Sequence, residues 1–296
     1  MDVKTQSDTS GGDLSDSARA AAGDAAILDA NHAKDEPQPE TLGSFAMFLI
    51  KLVLAVLIFR SFIFSPFSIP SESMLPRLWN GDYLLAAKWP YGYSKFSMPY
   101  NAPIIPGRLF ASPPEPGDVV IFKHPIDGSD YIKRVIALPG DSVGMVDGQL
   151  ILNGEPVPKV AIDQIRIPVS PNTGCARQVF LQTNTAGEAV CTYDRFRETL
   201  PNGTTYEVLD FGPRDADNFD TVIVPEGRMF VMGDNRDNSQ DSRFPAMAKG
   251  GVSMVPQENL VARATIIMWS TDGSASWVKP WTWFTAARWD RFGETL

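Results

Sequence analysis

Ser73 lies in the segment Ile69-Pro-Ser-Glu-Ser-Met-Leu-Pro76, and Lys133 in the run Tyr131-Ile-Lys-Arg-Val-Ile-Ala-Leu138. A serine and a lysine can together perform acyl transfer. Serine at its ordinary pKa is a weak nucleophile, so a hydrolase needs a base that removes its proton as attack proceeds. Histidine is the usual base, and this chain has two. His32 sits in a polar N-terminal stretch, and His124, just before a turn in Phe122-Lys-His-Pro125, reads as a surface residue. Lysine can serve instead when burial lowers its pKa until a useful fraction is neutral. If 131 to 138 is a strand, Lys133 shares a face with Tyr131, Val135 and Ala137, while Arg134 points the other way. The lysine then faces a mostly apolar side. From this segment alone, a solvated lysine on a strand edge is the simpler reading.

A third segment changes the balance: Gly233-Asp-Asn-Arg-Asp-Asn-Ser-Gln-Asp-Ser-Arg243. Its acidic and amide side chains suggest calcium, but no register supplies both the sixth-position glycine and the twelfth-position glutamate of an EF-hand loop. No metal site is expected. An Asx-rich turn held by local side-chain bonds is the plain alternative. Taken with the serine and lysine segments, and with Pro116-Gly-Asp-Val-Val-Ile-Phe122 and Leu138-Pro-Gly-Asp141, it resembles the signature boxes of the bacterial type I signal peptidases, the leader peptidase family of Ser/Lys-dyad serine proteases. The resemblance runs from about residue 60 to about residue 270. Arg77 stands where a threonine is common in the family, and Ala137 where a glycine is common.

The resemblance implies Ser73 as nucleophile and Lys133 as general base. It implies that Ser71, with the N–H of Ser73, holds the oxyanion, and that Ser239 hydrogen-bonds the lysine amine. Asp241 and Arg243 match a pair that fixes the loop. The expected substrate is the signal peptide of a secreted preprotein, cut after a small-x-small motif, which calls for shallow apolar pockets. The resemblance places Phe67, Ile69, Met74, Leu78, Leu84, Ile121 and Ile132 near those pockets; ordinary core packing is the other reading of each. No cofactor is implied. Two other functions fit the same boxes: a specialised Ser-Lys maturation peptidase of the conjugation type, and a non-enzymatic anchored β-domain that binds extended peptides.

The elements that must position these groups follow from pattern. Leu42 to Phe64 is apolar and long enough to cross a hydrocarbon layer of about 30 Å as one helix, with Lys51 and Arg60 as its charges. A buried soluble helix is the alternative. Residues 1–41 are acidic, small and poor in large apolar side chains, which predicts a disordered tail. Lys4, Arg19 and Lys34 are the only basic residues before the span, so charge gives weak guidance on orientation. The resemblance implies a single-pass protein of the bacterial inner membrane, its tail cytoplasmic, its catalytic domain periplasmic, and membrane lipid and the secretion translocon nearby. A net charge of −9 argues against nucleic-acid binding.

Val119–Lys123, Tyr131–Leu138, Gln149–Leu152, Val222–Val224, Met229–Met232 and Leu260–Trp269 read as strands. Asp147-Gly148 is a hairpin signal, and Asn153-Gly154 and Asn202-Gly203 mark further turns. The fold class is therefore mainly β: a membrane-anchored catalytic β-domain of coiled, barrel-like sheets with a smaller β-rich insertion and one N-terminal transmembrane helix. The expected divisions are a tail (1–41), the membrane helix (42–64), the catalytic domain (65–154 and 221–270), the insertion (155–220) and a Trp-rich tail (271–296). The two cysteines, Cys175 and Cys191, flank an extended stretch and either close a disulfide in an oxidising compartment or remain two buried thiols. Five of the seven tryptophans lie from Trp269 onward. A helix over 281–292 would put Trp281, Phe284, Arg288 and Phe292 on one side, either against the domain or at a membrane surface.

Overall fold

A computed structural model of the chain describes residues 42–98, 101–276 and 278–296. The expected tail, 1–41, lies outside the described residues, as does Trp277. The apolar run forms an α-helix over Leu42–Ile58 that continues as a π-helical turn over Phe59–Ile63. At 22 residues it is long and apolar enough to cross a membrane, and none of its α-helical part is buried against protein. Phe64, expected inside the span, instead begins a strand. Pro66 disfavours helical backbone just before it, and tertiary bonds take the helix's last carbonyls. Ser65 Oγ donates to Arg60 O at 2.7 Å, Tyr93 Oη to Phe62 O at 3.0 Å, and Lys88 N to Ile63 O at 3.0 Å. Compaction of the chain divides after Val53, and Leu54–Leu296 forms one compact unit.

Seven strands make the main sheet, all neighbours antiparallel, in the order Phe64–Ser68, Asp82–Ala87, Leu260–Ser270, Val119–Lys123, Asp130–Ala137, Arg228–Met232 and Val255–Pro256. Val119–Val120–Ile121–Phe122 and Ile132–Ala137 are buried without alternation, because apolar clusters cover both faces. The long strand Leu260–Ser270 carries three irregularities of register, between Leu260 and Ala262, Ala264 and Ile266, and Ile267 and Trp269. Such bulges bend a strand and increase its twist, so the sheet curls. The strands Phe64–Ser68 and Asp130–Ala137 are four steps apart along the ladder, about 19 Å if the sheet were flat. Their residues nonetheless line one cavity.

Two four-stranded sheets accompany this one, besides a short two-stranded pairing of Tyr93–Ser94 with Arg108–Leu109. Lys159–Pro168, Ala189–Thr199, Leu181–Thr183 and Thr205–Leu209 form the first. Cys175 and Cys191 are joined by a disulfide there, inside a cluster of Leu75, Ile167, Tyr193 and Leu209. The second sheet, Phe219–Ile223, Ser142–Val146, Gln149–Leu152 and Glu155–Pro156, draws strands from both sides of the expected boundaries at 154 and 220. Its hairpin turn uses Asp147 and Gly148 at φ 47° and 74°, the left-handed pair a tight two-residue turn demands.

The C-terminal segment differs from expectation. Its helix spans only Thr282–Ala286, and a 3-10 turn over Trp289–Arg291 follows. Arg288 and Arg291 turn inward: Arg288 donates to Asn80 O and Asn172 Oδ1, and Arg291 makes a bidentate pair with buried Asp82. Those bonds replace the continuous helical face, while Trp281, Phe284 and Trp289 stay exposed.

Candidate active site

Ser73 is held in a turn between the strands Phe64–Ser68 and Asp82–Ala87. Three neighbours fix its backbone. Leu75 is buried in the disulfide cluster, Leu78 N–H closes onto Met74 O at 2.9 Å, and Asn235 N–H donates to Ser73 O at 3.1 Å. The Asn235 side chain also donates to Glu72 O, so a loop distant in sequence grips the serine from both sides.

Lys133 comes from the middle of Asp130–Ala137 and is only 4% exposed. Its amine donates to Ser73 Oγ at 2.7 Å and to Ile132 O at 3.0 Å. Burial pushes this amine down to about 8, against the pull of the Asp241 and Asp234 carboxylates. Strand alternation sends Arg134 the other way, into a bidentate pair with Asp234 at 2.7 and 2.6 Å. One strand thus aims the lysine at the serine while its next residue ties the strand to the loop 233–243.

That loop is braced internally and from outside. Asp241 is fully buried and bound twice by Arg243, and it accepts the Gly233 N–H at 3.1 Å. Burial alone would raise the Asp241 carboxyl, but the charge and hydrogen bonds of Arg243 hold it below its ordinary value. Arg236 forms a bidentate pair with Glu198 of the smaller sheet, both distances 2.5 Å. Ser239 does not reach the lysine. Its Oγ is buried with no hydrogen-bond partner among the described residues, while the amine donates to Ser73 and to the Ile132 carbonyl. Ser71 is exposed, with its hydroxyl 3.4 Å from that of Ser73.

The sequence profile described as "Signal peptidase, peptidase S26" matches residues 42–269, a span containing every group just described. The chain belongs to the signal peptidase S26 family. Among curated members of the family, signal peptidase I of Rickettsia prowazekii (strain Madrid E) is 34% identical over 242 residues, 78% of this chain and 80% of that protein. Signal peptidase I of Rickettsia massiliae (strain Mtu5) is 36% identical over 234 residues, 76% of this chain and 78% of that protein. The crystal structure of a signal peptidase I from Enterococcus faecalis V583 shares 22% identity and a TM-score of 0.27, over 52% of this chain and 98% of that one.

In this S26 peptidase a cavity of about 330 Å³ opens at the serine and lysine. Phe67, Ile69, Ile121 and Ile132 line it. Met74, Leu78 and Leu84 do not; they are wholly buried in the apolar cluster that also holds Ile69, Ile121 and Ile132. Tyr131, Gln240 and Lys249 line the cavity without having been singled out in the sequence. Tyr131 was legible as a same-face neighbour of Lys133, whereas Gln240 and Lys249 arrive through loop geometry alone. Gly233 was a further omission: a Cβ there would lie 2.3 Å from Ser239 Oγ and 2.5 Å from Ser73 O, so only glycine lets the loop approach. His124, read as a surface residue, is 2% exposed, with Nδ1 accepting from the Ile126 N–H and Nε2 3.2 Å from Gly251 O. A turn residue was buried by the packing of 244–253 across it.

Proposed function

We propose that this chain is a membrane-anchored serine endopeptidase that removes signal peptides from secreted preproteins, with Ser73 as nucleophile and Lys133 as general base. The observation that carries the reading is the 2.7 Å contact between a buried amine and a serine hydroxyl beside an apolar cavity. With the amine neutral, its lone pair takes the Ser73 proton as Oγ attacks the scissile carbonyl. The tetrahedral oxyanion is met by the Ser73 N–H and the Ser71 hydroxyl, each such donor contributing about 3 kcal/mol. Collapse breaks the C–N bond, the lysine ammonium protonates the departing amine, and an ester remains on Ser73. Lys133, neutral again, takes a proton from water as the water oxygen attacks the ester carbonyl. Collapse breaks the acyl bond to Ser73 Oγ, the lysine ammonium returns a proton to Oγ, and the signal peptide leaves with a new C-terminal carboxyl group.

Substrate binding has a physical basis in the sheet. Within Asp130–Ala137, Arg228–Met232 pairs with Arg134, Val135 and Ala137 alone, so Asp130–Lys133 have an edge without a strand partner among the described residues. Phe64–Ser68 is an edge strand as well. An extended peptide laid between them gains main-chain hydrogen bonds, while the shallow wall of Ile69, Ile121 and Ile132 admits only small side chains. Residues 65–154 and 221–270 carry this chemistry, the insertion 155–220 braces it through Glu198, and Leu42–Ile63 anchors it. A periplasmic location for the domain, beside membrane lipid and the secretion translocon of the inner membrane, accords with the disulfide.

Purified protein in detergent with a precursor bearing an Ala-x-Ala site tests the assignment. Ser73→Ala and Lys133→Ala abolish cleavage while circular dichroism stays unchanged, and Lys133→Arg, which cannot supply a neutral base, is equally inactive. Cleavage by either alanine variant at more than a trace of the parent rate refutes the dyad.

A further inference from the structure

A second cavity, of about 370 Å³, lies on the anchor side of the domain and falls within the ~300–1,000 Å³ range of small-ligand sites. Its wall includes Leu57 and Arg60 from the end of the apolar span, Lys88, Lys123 and Asp130. Phe67 and Asp130 line both this cavity and the catalytic one, so the two are neighbours. Lys88 is the unusual member. It is only 3% exposed, yet its amine makes no hydrogen bond and no ion pair with any described residue; it lies 5.8 Å from the centre of the Phe67 ring. Burial pushes that amine down to about 8, with Asp130 opposing the shift and Lys123 and Arg60 reinforcing it. Asp130 is engaged by Lys123 at 2.9 Å, so this one carboxylate faces three cations, Lys88, Lys123 and Arg60, and neither Lys88 nor Arg60 forms an ion pair with a described residue.

A largely enclosed cation that lines a cavity and has no hydrogen-bonded partner is unfavourable, and a ligand in that cavity can supply the missing contact. We propose that this cavity binds the phosphate of an anionic membrane lipid, held between Lys88 and Arg60 beside the catalytic cavity. Three observations favour that occupant. The cations call for an anion, and phosphate accepts from ammonium and guanidinium groups in charge-assisted hydrogen bonds. Arg60 and Leu57 belong to the last turns of the span, so a chain anchored by Leu42–Ile63 has this cavity at headgroup depth; the assignment rests on that anchor reading. A signal peptide, apolar with a basic start, gains nothing from two unpaired cations. The bound headgroup would also brace Phe67, and through it the wall of the substrate cavity.

Native mass spectrometry of the full-length protein in detergent, titrated with phosphatidylglycerol, phosphatidylcholine or soluble glycerol 3-phosphate, tests this. The parent protein retains one phosphatidylglycerol about tenfold more tightly than phosphatidylcholine, the effect of one or two charge-assisted bonds. Lys88→Gln removes that selectivity, and so does Arg60→Gln at an exposed site where folding is not at stake. Lys279→Gln, an exposed lysine of the tail, leaves it intact. Equal retention of the two lipids, or unchanged selectivity in both variants, overturns the assignment. So does glycerol 3-phosphate binding as tightly as the lipid, which makes the cavity a site for free phosphate. A raised KM for precursor in Lys88→Gln with lipid retention unaltered would instead give the cavity to the substrate. A chain that fails to float with neutral phosphatidylcholine liposomes removes both the anchor and this assignment; one that floats without headgroup selectivity removes this assignment alone.

Discussion

Position 133 has to hold a lysine that is uncharged often enough to act as a base; enclosure of its amine is the main cause, against the Asp241 and Asp234 carboxylates and with a smaller push from the Arg243 guanidinium. Because the protonated form is the one disfavoured, the active fraction grows as pH rises. Log kcat/KM should climb with unit slope below an inflection near pH 8, where the buried amine titrates, and level above it. A profile flat from pH 6 to 9 would remove the lysine from the proton transfer. Gly233 makes a complementary demand on space. Gly233→Ala pushes a Cβ into Ser239 and the Ser73 carbonyl, displacing the serine relative to the amine, and misplacements near 1 Å lower activity about a hundredfold. Steady-state kinetics should show that loss in kcat, with KM little changed.

Between the strand Asp130–Ala137 and the loop 233–243, the strongest tie is the Arg134–Asp234 pair, buried on both sides. Removing one partner of such a pair strands the other charge, which costs about 3–5 kcal/mol. Asp234→Ala should therefore lower the urea midpoint markedly and reduce cleavage as the loop loses its hold on Ser73. A midpoint within error of the parent would show that the Asn235 and Asp241 contacts hold the loop without it. Strand positions and hairpin turns were readable locally: Val119–Lys123 and Gln149–Leu152 fall where their apolar patterns put them. Phe64–Ser68 was missed because its first residue continues an apolar run and its Pro and Ser residues resemble a linker. Met74, Leu78 and Leu84 have the composition of a pocket wall and of a core equally, and burial alone separates the two.

For the molecule as a whole, the unburied apolar span and the compact remainder predict distinct fates on fractionation. The full chain should stay with membranes through an alkaline carbonate wash, and external protease added to spheroplasts should remove the mass beyond Ile63. Release into the supernatant, or protection from protease, would refute the anchor or the orientation respectively. The chemistry was written locally, since a short box carries its own residue types: a serine before Met-Leu-Pro, a lysine on an apolar strand face, and a loop dense in Asp, Asn and Arg. Distance was not. Ser73 and Lys133 are 60 residues apart, and their 2.7 Å contact exists because bulges in Leu260–Ser270 curl the sheet until its fifth strand faces its first. The idle Ser239 hydroxyl, the buried His124 and the unpaired Lys88 share that origin: a side chain's partners depend on which distant segments fold against it, and no local pattern encodes them.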